Sequence, residues 1–134
     1  MSTRLTGTYL MQESIWDRYG GYSFVARTVR DFYDRVLVSR DLSAYFDKVN
    51  MEGLIEHQIR TIGAVMGGPF DLDLDALQGA HAHLRITDKH FNELGTILDQ
   101  TLEAHGLEQA DKNVLLGVVE SVRSVIVTAD ARKG

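Results

Sequence analysis

Apolar residues recur every three to four positions through most of the chain, the period of helices that bury one face. A short helix is predicted around Glu13 to Arg18, closed by Gly20-Gly21. A longer one follows from about Tyr22 to Val38, with a stripe of Val25, Val29, Phe32, Tyr33, Val36 and Leu37. A bend holding Leu42, Tyr45 and Phe46 leads to a helix over Met51–Met66, whose stripe of Met51, Leu54, Ile55, Ile59, Ile62, Val65 and Met66 is interrupted by Gln58. The run Gly67-Gly68-Pro69 contains the chain's one proline and breaks the pattern. A loop from Phe70 to Asp73 then precedes a short helical stretch to about His83, with Leu74, Leu77 and His81 in register. Thr87-Asp88 reads as a helix start, because a side-chain oxygen there satisfies first-turn N–H groups. That helix carries Phe91, Leu94, Ile97, Leu98, Thr101 and Leu102 and stops at Gly106. The last helix is predicted from about Glu108 to Thr128. Its valines would permit a strand, but their spacing is nearer to 3.6 than to 2 and the segment exceeds an ordinary strand. The fold class is all-α.

With 134 residues the chain is the size of one domain, large enough to bury roughly two-thirds of its unfolded surface in a single core. It divides into a polar N-terminal extension (1–14), a core (15–129) and a short tail (130–134), with no repeat or linker. A net charge of −5 disfavours nucleic acid, which selects a concentrated basic face. The absence of cysteine excludes a disulfide framework, a thiolate zinc site and a thiol nucleophile. Met1 to Tyr19 lacks the apolar stretch of a secretory signal, and no segment has the apolar length of a bilayer span. The expectation is a cytoplasmic protein with no membrane partner.

Most polar residues read as solvated helix faces. The exceptions are Tyr33, Gln58 and His81, each set into an apolar stripe, with His57 flanking Gln58. A buried amide or imidazole without a partner costs a few kcal/mol, on the order of 1–3. Three such groups on three helices suggest a shared polar object in the core. Each also has an ordinary reading: Tyr33 as a core phenol whose hydroxyl reaches the surface, Gln58 as a cap on a backbone carbonyl, His81 as a satisfied core histidine, and His57 as a residue at the solvent boundary. His83, His90 and His105 read as surface or structural. These side chains alone lack the clustered thiolates or carboxylates that complete a metal shell. Two histidines on facing helices suit the axial positions of a haem, whose porphyrin supplies four ligands. Phe46, Leu77, Ile86, Phe91 and Val118 are available to line a flat apolar slot.

The ordered runs Ile15-Trp16-Asp17-Arg18-Tyr19-Gly20-Gly21, Asp31-Phe32-Tyr33-Asp34-Arg35-Val36-Leu37, Leu42-Ser43-Ala44-Tyr45-Phe46 and Met66-Gly67-Gly68-Pro69 closely resemble the group I truncated haemoglobins. So does Ala80-His81-Ala82-His83-Leu84-Arg85-Ile86-Thr87 with His90-Phe91, and the resemblance spans about Ile15 to Thr128. It implies a two-over-two helical sandwich around haem b, with one globin helix reduced to a loop and a turn. His81 matches the proximal iron ligand, Phe46 the aromatic that packs on the haem, and Tyr33 with Gln58 the distal polar pair. Leu54 occupies the place where larger globins keep a distal histidine.

The implied ligands are O2, NO and other small haem ligands. A phenol and an amide donating to such a ligand in a dry pocket contribute on the order of 1 kcal/mol each, slowing its dissociation by roughly one to two powers of ten. Tight binding suits chemistry on the gas better than carriage, which makes Tyr33 and Gln58 candidate catalytic residues for nitric oxide dioxygenation. The sequence contains no flavin or nicotinamide motif, so turnover implies a separate reductase. His57 stands where cyanobacterial members place a histidine as sixth iron ligand, so bis-histidyl coordination and a solvent-facing His57 near a propionate both stay open. Covalent haem attachment through the last helix is not expected, because 108–134 contains no histidine. Ile62, Gly63, Val65 and Val118 are candidate walls of an apolar gas tunnel, with Ile62 where several relatives carry a bulky aromatic gate. The competing functions are an electron-transfer haem protein, a ligand sensor and a haem-free helical interaction domain. A monomer or weak dimer is expected.

Overall fold

The computed structural model describes residues 13–72 and 85–127. Within them lie helices α1 (Ile15–Tyr19), α2 (Tyr22–Leu37), α3 (Arg40–Ser43), α4 (Met51–Val65), α5 (Asp88–Ala104), α6 (Gln109–Ser121) and α7 (Arg123–Ile126), with a 3-10 turn at Ala44–Phe46.

Side chains and glycines at the helix ends set these limits. The Ser14 hydroxyl accepts from the Asp17 N–H at 3.1 Å, and α1 ends at Gly20, whose φ of 104° turns its N–H back toward the last carbonyls. Asn50 accepts from Gly53 N–H at 3.2 Å to open α4, and Thr87 accepts from His90 N–H at 3.1 Å to open α5, as its sequence predicts. Gly106, at φ 88°, stands two residues beyond the end of α5.

The expected final helix is corrected. It is two pieces, α6 and α7, parted at Val122. Arg123 is drawn toward α5, donating to Asp88 at 2.9 Å and Asn92 at 2.6 Å, while also pairing with Glu120. Val127 then leaves the helix with ψ 110° and bridges Ile86 in parallel fashion. The β preference of the valine-rich segment is realised at this point.

Helix α2 packs on α4 and on α5, and α5 packs on α6, which makes a two-over-two helical sandwich. Val25, Val36, Leu42, Ile59, Leu102 and Leu115 are fully buried between these layers. The expectation that the remaining polar residues lie on solvated faces is also corrected, because Asp111 and Lys112 are buried at the start of α6. Arg18 grips Asp111 through two hydrogen bonds of 3.0 and 2.7 Å, and the Tyr19 hydroxyl donates to the same carboxylate at 2.6 Å. That hydroxyl also accepts from the backbone N–H of Glu108 at 3.0 Å, satisfying a helix-start donor that no neighbouring side chain caps. Lys112 donates to Glu103 at 2.6 Å and makes an ion-pair contact with Asp99, tying α6 to α5. No helix among the described residues is long and apolar enough to cross a membrane.

Candidate functional site

A cavity of about 290 Å³ opens among α2, α4, α5 and α6. Its walls are almost wholly apolar, with Val29, Phe32, Leu54, Ile62, Leu98 and Val118 among them. Each comes from the apolar stripe of its helix, so the amphipathic pattern that builds the core also lines the cavity.

One corner is polar. Tyr33, three-quarters of the way along α2, and Gln58, in the middle of α4, meet across the cavity wall with the Gln58 Nε2–H donating to the Tyr33 hydroxyl oxygen at 3.1 Å. Edge-on contacts from Phe32 and Phe46, at ring-centroid distances of 4.9 and 5.8 Å, hold the phenol in place. Burial pushes the Tyr33 phenol up to about 12, opposed by the Gln58 hydrogen bond, so it keeps its proton at neutral pH. A phenol that accepts one hydrogen bond still has its own O–H to donate. The Gln58 Oε1 atom is buried and has no partner among the described residues. Such an atom costs about 1–3 kcal/mol, and rotating the amide would exchange it for an N–H donor. The pair therefore offers the cavity one hydrogen-bond donor, the Tyr33 O–H in this amide orientation or the Gln58 N–H in the rotated one.

Of the residues singled out from sequence, Tyr33, Gln58, Phe46, Leu54, Ile86, Phe91, Val118 and His57 all line this cavity. His57 is exposed at its edge. His81 and Leu77, along with Leu74 and His83, lie outside the described residues. Ile62 and Val65 line the cavity. Gly63 does not, and that expectation is corrected: a Cβ there would meet Trp16 at 2.7 Å and Phe70 at 3.0 Å, so its missing side chain makes room for aromatic packing on another side of α4. His90 and His105 hold structural hydrogen bonds, with Tyr45 at 2.6 Å and Asp31 at 2.9 Å respectively.

Thr28, Tyr45, Leu98 and Leu115 also face the cavity and were not among the residues predicted to do so. Leu98 and Leu115 are indistinguishable in sequence from other stripe residues. Tyr45 carried a signal in its position beside Phe46. No group of three or more His, Cys, Asp or Glu among the described residues is placed to hold a bare metal ion.

The bacterial-like globin family matches residues 14–128. The group 1 truncated hemoglobin GlbN of Mycolicibacterium paratuberculosis is 32% identical over 120 residues, covering 90% of this chain and 88% of the relative. Among solved structures, Chlamydomonas reinhardtii THB4 superposes with a TM-score of 0.73 at 27% identity, over 84% of this chain and 94% of that one. The 2/2 hemoglobin of Synechococcus sp. PCC 7002, solved in the cyanomet state with covalently attached heme, shares the fold with a TM-score of 0.78 at 24% identity, over 87% and 98%. Sequence match, helical architecture and a cavity with one polar corner agree: the chain belongs to the bacterial-like globin family as a group 1 truncated haemoglobin, a membership that implies haem-based ligand binding.

Proposed function

We propose that the protein holds haem b in the α2/α4/α5/α6 cavity and binds O2, NO and related diatomic ligands there, with oxygen-dependent conversion of nitric oxide to nitrate as its reaction. The observation that carries this reading is the Tyr33–Gln58 pair, a protonated phenol and an incompletely satisfied amide set into an otherwise apolar wall. The residues present fit a planar apolar group that carries a polar ligand on one side. Phe46, Leu54, Ile86, Phe91 and Val118 would contact the ring, and His81 would supply the proximal nitrogen, as the family resemblance implies. When bound, the group supplies an iron with a coordination position open to a small molecule.

The chain's own contribution is orientation and exclusion. The apolar wall keeps water from competing for the polar corner, and in that low-dielectric setting the Tyr33 O–H, left free because Gln58 donates to the phenol oxygen, would stabilise negative charge on the ligand. The reaction NO + O2 + e⁻ → NO3⁻ consumes one electron, and the chain carries no flavin or nicotinamide motif, so a separate reductase supplies it.

The exposed place of His57 at the cavity edge, one residue before Gln58, supports a second state. In it, a rotation of α4 would let His57 hold the iron when no external ligand is present. In that state the protein would serve electron transfer.

Absorption spectra of the haem-reconstituted chain, together with its rates of O2 dissociation and of nitric oxide consumption, test the proposal. Fast nitrate formation with slow O2 release is expected. Failure to take up haem, or nitric oxide consumption no faster than that of free haem, overturns it.

A further inference from the structure

Four tyrosines fall within the described residues, and each hydroxyl has a polar partner there. Tyr19 donates to Asp111 and Tyr22 to Glu56, both away from the cavity. Tyr33 lines the cavity, but its described partner is an amide N–H, which donates to the phenol and accepts nothing from it. Tyr45 differs from all three: it lines the cavity, and its hydroxyl lies 2.6 Å from Nδ1 of His90. The two rings meet edge-on, with centroids 5.4 Å apart and planes at 81°.

Both partners are fixed. Tyr45 belongs to the 3-10 turn before α4 and packs against the cluster of Ile86, Phe91 and Ile126. His90 sits in the first turn of α5, where its backbone N–H donates to the capping Thr87. The pair therefore spans two elements at the cavity wall.

A phenol that loses an electron becomes a strong acid, so its oxidation is easy only where a base stands ready for the proton. Tyr45 has that base and Tyr33, among the described residues, does not. The other readily oxidised ring, Trp16, packs against Gly63, Gly68 and Phe70, away from the cavity lining.

We propose that Tyr45 and His90 form a proton-coupled electron donor to the haem site, giving the protein an activity toward hydrogen peroxide in which Tyr45 supplies one of the two electrons that peroxide takes up. This rests on the haem reading above. Peroxide is the oxidant, and its reduction, H2O2 + 2H⁺ + 2e⁻ → 2H2O, takes two electrons and draws its protons from solvent. Tyr45 supplies one electron and becomes a neutral phenoxyl radical. Its O–H bond breaks, and the proton passes to Nδ1 of His90, which holds its other proton on Nε2 and becomes imidazolium. The second electron would come from the haem iron. Two equivalents of a small one-electron reductant, phenolic or enediol in class, then close the cycle: one returns an electron to Tyr45 while His90 returns the proton, and the other restores the iron. The oxidising equivalent is thereby drawn away from the Tyr33–Gln58 corner.

The test uses the full chain reconstituted with haem, its loading checked by the Soret band. One equivalent of hydrogen peroxide is added, and the sample is frozen for electron paramagnetic resonance. A phenoxyl signal is expected that narrows when the tyrosines are ring-deuterated. It should be lost in Tyr45→Phe and form more slowly in His90→Gln, by about a hundredfold, the scale set by a positioned base. In the wild type, a nitroso spin trap followed by peptide mass spectrometry should place the adduct on Tyr45, a readout that needs no variant to fold. The proposal is overturned by an undiminished signal in a haem-loaded Tyr45→Phe, by an adduct on Tyr33 in its place, or by no radical at all in haem-loaded wild type. An unchanged rate in His90→Gln removes His90 as the proton acceptor. A chain that takes up no haem overturns the functional reading together with this one.

Discussion

Gly63 and Trp16 are packed so closely that a Cβ on the glycine would stand 2.7 Å from Cζ3 of the indole. Phe70 closes the other side at 3.0 Å and meets Trp16 edge-on. Gly63→Ala should therefore lower stability by about 1–3 kcal/mol through overpacking. Gly117→Ala, on an exposed part of α6 where no described atom lies within 4 Å, should raise it by up to about 1 kcal/mol by helix propensity alone. Denaturant midpoints of the two variants, moving in opposite directions from wild type, check the pair.

Tyr33→Phe removes the phenolic donor while keeping the ring that Phe32 and Phe46 hold. Oxygen dissociation should quicken by about tenfold, and by up to about a hundredfold in the double variant with Gln58→Leu. Stopped-flow release, with haem loading matched among the proteins, provides the measurement. Rates equal to wild type would place the distal control elsewhere in the pocket.

His57→Ala addresses the opposite state. The ferric wild-type protein should give a low-spin visible spectrum that turns high-spin in the variant, with faster ligand entry. A high-spin wild-type spectrum removes His57 from the iron and leaves it at the pocket edge.

Acid should loosen the fastening of α1 to α6. Arg18, and after it Tyr19, hydrogen-bonds the ionised Asp111 carboxylate and holds it below its ordinary value of 3.8. For a group depressed by folding, the stabilisation is complete above the unfolded value and is lost as pH falls through the lower folded one. Asp111→Asn should thus cost about 2 kcal/mol at neutral pH. The gap from wild type should begin to shrink as the pH falls below 3.8 and close once it has passed below the lower folded value. Thermal unfolding of both proteins across that range reads the effect, and a gap that persisted in strong acid would assign it to packing.

Much of this architecture is legible in the sequence because helix period, capping residues and glycine stops act locally. Thr87 caps α5 by its own hydroxyl, and Gly106 follows the end of α5 without help from afar. Tyr33 and Gln58 are visible for a related reason: a polar group on an apolar stripe stands out before its partner is known. Asp111 and Lys112 do not stand out, since a charge at the start of a helix looks solvated until Arg18 or Glu103 is brought to it from elsewhere. The break at Val122 is equally hidden, because it depends on Arg123 reaching across to α5 and on Val127 meeting Ile86. The Gly63 packing was misread for the same cause, as only the folded chain shows which side of α4 receives Trp16.

Helix α1 has five residues, too few to persist alone. It is fastened twice, first where the Trp16 ring lies over Gly63 and Gly68 and the Trp16 backbone N–H donates to the Met66 carbonyl at 2.8 Å, and again where Arg18 and Tyr19 grip Asp111. During synthesis the first fastening waits for residue 68 to emerge and the second for residue 111. Both partners lie far ahead of α1 in the sequence, so its helix exists only through tertiary packing and serves as a latch joining α4 to α6.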